Sequence, residues 1–145
     1  MLVKKLLFQI VFNCLLIISL SVKAQLLPSS EVKFSKVEIW QAVQGRMFGR
    51  LVSRQEGYTT VQIYNSTKDD GIYTYCFIGG PYFGGEGGLL VKSVEKINGE
   101  DGIMIYKGTC KDAQNRIVTM IFRYKNTSLT DVSYQQDDGC VTFTN

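Results

Sequence analysis

The chain predicts an all-β fold: a single-domain antiparallel meander of eight or nine short strands, closed as an up-and-down barrel or, alternatively, stacked as a β-sandwich. Three observations carry this. From Val32 onward, β-branched and aromatic residues recur in short segments, several with the alternation of a half-buried strand. Turn-forming Gly, Asp and Asn separate those segments at close intervals. Finally, Asp69-Asp70-Gly71, Glu100-Asp101-Gly102 and Asp137-Asp138-Gly139 each launch a segment, and each glycine is followed four residues later by Tyr75, Tyr106 or Phe143. Asp-Gly is hairpin chemistry, because both residues tolerate positive φ.

The first stretch lies outside that fold. Lys4 and Lys5 precede an apolar run from Leu6 to Leu20, and Val22-Lys23-Ala24 forms a cleavage signal before Gln25. Residues 1–24 therefore read as a signal peptide, which predicts a secreted or periplasmic product. As a membrane anchor the run is short, since a spanning helix needs about 20 apolar residues. Residues 25–31, with Pro28-Ser29-Ser30, read as a flexible entry, and the single β domain spans 32–145.

Residues 32–43 form the first strand, with a break near Ser35-Lys36; a short helix capped by Ser30 is the competing reading. A second strand over 46–54 turns at Gln55-Glu56-Gly57 into a third over 58–64, where Val61 and Ile63 alternate with Thr60, Gln62 and Tyr64. Residues 72–78 follow, apolar on both faces. Then comes a Gly-rich loop, Gly79-Gly80-Pro81-Tyr82-Phe83-Gly84-Gly85-Glu86-Gly87-Gly88, too rich in glycine for a helix and too long for a hairpin turn. Strands over 89–97, 103–110, 116–124, 129–134 and 140–144 complete the chain. Alternating directions put the turn at 55–57, the Gly-rich loop, 111–115 and 135–139 at one end. The opposite end receives 44–45, 65–71, 98–102 and 125–127.

Charge narrows the partners. Lys4, Lys5 and Lys23 account for the whole formal excess of +3, so the chain from Gln25 is neutral. Neither nucleic acid nor an anionic membrane is favoured by such a product. Catalysis has little to stand on: the chain contains no histidine, which removes the usual base of hydrolase triads and the commonest zinc ligand. Glu56, Glu86, Asp112, Asp137 and Asp138 share the Gly-rich end, but turn carboxylates are ordinarily solvated, whereas acid catalysis needs one with a raised pKa. A carboxylate-based hydrolase is thus the weaker reading, and no metal or cofactor is expected. Gly-Gly-Glu-Gly-Gly also fails the G-x-G-x-x-G pattern, and a strand rather than a helix follows it.

Tyr82, Phe83 and Glu86 are the candidate contact residues, because aromatics on a loop tip offer area to a protein, glycan or small apolar ligand. In outline the architecture resembles lipocalin-like and other small secreted barrels, although the Gly-x-Trp opening of lipocalins is missing. That resemblance implies an alternative, a carrier holding a small apolar molecule inside the barrel. The leading expectation is a non-catalytic binding protein that uses its Gly-rich end. Asn65 and Asn126 begin N-glycosylation acceptor triplets at the opposite end.

Cys76, Cys110 and Cys140 follow the leader, and three thiols allow one internal bridge. None lies on strands consecutive in sequence, and strands two apart sit about 9.5 Å from each other, beyond the roughly 7 Å reach of a disulfide. A bridge must use the freedom of a loop or a contact between facing sheets. Cys110 and Cys140 each border a polar connection, so they are the expected pair. Closing about 30 residues contributes around 3–4 kcal/mol in the chain-entropy view. Cys76, between Tyr75 and Phe77, is expected as a buried thiol.

Overall fold

A computed structural model describes residues 26–44, 46–80 and 88–145. Eight strands run in sequence: β1 (Ser30–Val43), β2 (Arg46–Lys68), β3 (Gly71–Gly79), β4 (Leu89–Asn98), β5 (Ile103–Lys111), β6 (Ile117–Lys125), β7 (Ser128–Gln136) and β8 (Gly139–Thr144). Each pairs antiparallel with the next, and β8 returns to β1 from Gln41 opposite Gly139 to Lys36 opposite Thr144. The meander is therefore a closed ring, which leaves no fully open sheet edge. Among the described residues there is no helix, so the helical reading of 31–44 gives way to strand.

Two predicted strands are one. Residues 55–57 make no turn; β2 runs through them for 23 residues. Phe34 faces Thr59 and Lys36 faces Glu56, so Ser35 alone opposes both Gly57 and Tyr58. Gly57 is thus a bulge residue, with φ at 156° in a region that side chains rarely adopt. The same glycine signal serves a turn or a bulge, and only the partner strand decides between them. With no reversal at Gly57, the turn after Val43 joins the Gly-rich end, together with 80–88, 112–116 and 137–138.

Side-chain alternation fills the ring. Phe34 and Val37 of β1, Val61 and Ile63 of β2, Cys76 and Ile78 of β3, and Met120, Phe122 and Tyr124 of β6 all point inward into one buried cluster. Val132 of β7 and Phe143 of β8 complete it without measurable exposure. The Asp-Gly expectation holds at the β4–β5 connection, where Asp101 and Gly102 have φ of 53° and 74° and Ile103 N–H donates to the Glu100 carbonyl at 3.0 Å.

At the end opposite the Gly-rich connection, the entry segment is tied down rather than loose. Leu27 is 1% exposed and belongs to the core. Its carbonyl accepts from Asn65 Nδ2 at 3.0 Å, while Asn65 Oδ1 accepts from Thr74 Oγ1 at 2.6 Å. The Tyr124 hydroxyl donates to the Pro28 carbonyl at 3.0 Å, and Ser30 Oγ lies 3.2 Å from that carbonyl. A strap of coil, continuous with β1, therefore plugs this mouth of the ring with a leucine. Leu27→Ala removes that plug and leaves a cavity, so we expect a loss of about 2–5 kcal/mol in urea denaturation. A loss below about 0.5 kcal/mol shows that the strap does not plug the ring.

Candidate functional site

Tyr82, Phe83 and Glu86 fall outside the described residues, so the Gly-rich end is read from the elements around them. One of these is the β1–β2 hairpin. Among the described residues, β2 from Arg46 to Tyr58 pairs with β1 alone; its pairing with β3 begins at Thr60 opposite Gly79. Along this stretch Phe48, Leu51, Val52 and Tyr58 are exposed, Val52 by 56% and Tyr58 by 67%. Trp40 of β1 meets Phe48 edge-on, with centroids 5.7 Å apart and planes at 71°. A groove of about 340 Å³ runs beside the hairpin, lined by Trp40, Val52, Asp138, Gly139 and Cys140. Trp40 Nε1 is buried without a hydrogen-bond partner among the described residues, a costly state for a donor.

Arginines border this apolar surface. Arg54 is paired with Glu38 at 2.7 Å, and Arg50 donates to Gln41. Neither Arg46 nor Arg50 has a carboxylate partner among the described residues.

The second opening lies between β4 and β5. Toward the Gly-rich end their last pair is Lys92 with Thr109. Beyond it, among the described residues, 89–91 pair only with β3, while Cys110 and Lys111 pair only with β6. A bulge parts the strands: Ser93 and Val94 oppose Gly108 alone, and Ser93 takes φ of 53°. Gly108 is required here because an added Cβ would meet Val91 Cγ1 at 2.5 Å. The crevice has a volume of about 410 Å³, with Leu89, Leu90 and Ile117 as apolar walls and Cys110 among its lining.

The carboxylates of this end divide. Asp112 builds its turn: Oδ1 accepts from the backbone N–H of Gln114 and Arg116, and Oδ2 from Arg116 Nε at 2.7 Å. Burial works against its charge, but those hydrogen bonds and the Arg116 guanidinium outweigh it and hold its pKa below the usual carboxylate value. That is the opposite of what a general acid needs. Asp137 and Asp138 are exposed, and Glu56, expected at this end, lies instead exposed in the middle of β2 opposite Lys36.

The expected Cys110–Cys140 bridge is absent; all three cysteines are buried thiols. Its failure is a matter of faces. Cys110 alternates with Tyr106 on the inner face of β5, whereas Cys140 lies between inward-packed Val141 and the chain turn, on the outer face opposite Trp40. The sheet wall separates them. Cys76 sits in the core at 0% exposure.

Away from this end, Tyr64 stacks on Tyr75 and on Phe77, with centroids 5.4 and 5.3 Å apart and planes within 20°. Stacking turns ring faces on one another, so this is a clasp between β2 and β3 rather than a platform for a sugar ring. Asn65 commits its amide to the strap, and Asn126 is exposed in the β6–β7 turn.

Reasoning from sequence reached the Gly-rich end but missed the hairpin and the crevice. Phe48, Leu51 and Val52 are indistinguishable from core residues until their partner strands are known. No protein-family model, curated protein or solved structure matches this chain.

Burial pushes the Cys76 thiol up to about 12, with Cys110 adding to it, and pushes the Cys110 thiol to about 11 and the Tyr124 phenol to about 12. Each folded group favours its neutral form. Their stabilisation is therefore complete below the ordinary values of 9.0 for thiol and 10.0 for phenol, and is lost as pH rises toward the folded values. The urea midpoint is expected to fall steadily from pH 9 to 11, less steeply in Cys76→Ala. A midpoint independent of pH over that window contradicts the burial of these groups.

Proposed function

We propose that this chain is a non-catalytic binding protein, secreted or periplasmic, that engages a partner polypeptide through its Gly-rich end. The observation that carries this reading is the β1–β2 hairpin: a strand with one edge unpaired by other described strands, bearing exposed Phe48, Leu51 and Val52. Aromatic and arginine side chains around an apolar centre are the composition of protein interfaces. An unpaired strand edge supplies N–H and C=O groups for an added strand. Arg46 and Arg50 favour an acidic segment in that role. The leader supports export. The neutral mature chain gives no support to nucleic acid or anionic membrane as partner.

Carriage inside the ring is the second reading, and the interior speaks against it. Phe34, Met120, Phe122, Val132 and Phe143 are fully buried against one another. The turn-building role of Asp112 likewise favours binding over hydrolysis.

Site-specific photocrosslinking in the source cells tests the proposal. A crosslinker at Val52 is expected to give a discrete adduct with one protein, lost in Phe48→Ser, while the same group at Ile72, at the opposite end, gives none. Equal labelling from both positions, or an adduct only between copies of this chain, overturns it.

A further inference from the structure

We infer that the crevice where β4 and β5 part is a second binding site, for an amphiphile with an anionic head and a short unbranched apolar tail. It lies apart from the hairpin and does not depend on the partner proposed there.

The backbone makes the opening. Two strands that are neighbours in the ring have no shared pair beyond Lys92 and Thr109, and the bulge at Ser93 and Val94 sets that point. Such a gap in a closed ring needs something to cover its walls, because exposed apolar surface costs about 25 cal/mol per Å². Leu89 and Leu90 are only half-buried, and Ile117 is 73% exposed. The volume of about 410 Å³ lies within the range of small-molecule sites, roughly 300–1,000 Å³.

The charges choose the head group. Two cations, Lys92 and Lys111, line the crevice, and no carboxylate lines it among the described residues. Neither lysine is in an ion pair there. Asp112, which follows Lys111 in the chain, is already committed to Arg116. Both lysines are exposed, so an anion meets them without either ammonium being desolvated beforehand. Between these charges the walls are leucine and isoleucine, which suit a tail of methylenes at about 0.8 kcal/mol for each one buried. The lining also explains what is excluded. Cys110 presents a protonated thiol, which behaves as a small apolar group and not as a nucleophile.

Titration of the full chain with dodecanoate, dodecanol and dodecyltrimethylammonium, each below its micelle concentration, tests the inference. Dodecanoate is expected to bind at least tenfold tighter than dodecanol, with the ammonium weakest. In two-dimensional NMR its shift changes are expected at 89–92, 109–111 and Ile117. Lys92→Glu with Lys111→Glu is expected to weaken dodecanoate tenfold or more and to reverse the preference toward the ammonium. Ile117→Ser is expected to weaken all three amphiphiles. Because these side chains are exposed, the variants are expected to keep the wild-type urea midpoint. Dodecanoate that fails to bind below millimolar concentration overturns the inference. So does binding that ignores the charge reversal, or shift changes centred on the hairpin at 46–58. Neither result bears on the crosslink from Val52, so the two proposals fail separately.

Discussion

The pairing of β8 with β1 is the constraint on which the rest of this molecule depends. Six consecutive residues of β8 find partners in β1, and the closest approach is at Gly139, where any Cβ would collide with the Trp40 carbonyl. Glycine is needed there for backbone proximity rather than for a special dihedral. Once the ring is closed, one face of every strand is interior, and alternation assigns the inward set without further choice. Phe143 and Val141 of β8 meet Val37 and Ile39 of β1 across this seam. A slip by one residue would turn those side chains to solvent and bring Cys140 and Thr142 inward.

Closure also bears on where the proposed binding surfaces lie. A ring whose strands were paired along their whole lengths would offer only turns. Here, among the described residues, two stretches near the Gly-rich end depart from full pairing: β2 before Thr60, and the upper parts of β4 and β5. Bulges mark both places, at Gly57 and at Ser93 with Val94, and bulges commonly re-aim side chains near functional sites. The opposite end is built differently. Leu27, Asn65, Thr74 and Tyr124 close it with a buried plug and a short hydrogen-bond network. One end is closed by that plug and the other carries the two stretches of incomplete pairing among the described strands, and this asymmetry supports the proposed assignment of binding to the Gly-rich end.

Much of the fold was legible in the sequence because its signals are local. Alternation at Val61 and Ile63, and Asp-Gly at 101–102, depend on residues that are neighbours in the chain, and both gave the right element. Gly57 shows where that reasoning stops: a turn and a bulge need the same backbone freedom, and the partner at Ser35 decides. The cysteines fail for a related reason. Sequence position placed Cys110 and Cys140 toward one end, but bridging depends on which face each occupies, and that is set by register with distant strands. Likewise Leu27 reads as part of a flexible entry beside Pro28 and Ser29, because its burial depends on Asn65 and Tyr124, far along the chain. The two openings were illegible because an unpaired edge is defined by the lack of a partner among the described strands, which no local stretch of sequence reveals.

Amide hydrogen exchange of the folded chain tests the central claim, that a firmly closed ring opens locally at one end. The account predicts that 36–41 and 139–144 exchange only through global unfolding, since their pairing closes the core. It predicts much faster exchange for the β5-facing amides of 89–91 and for the outer-edge amides of 46–58. Protection of those amides equal to that of the β1–β8 seam would contradict it, as would fast exchange along the seam itself.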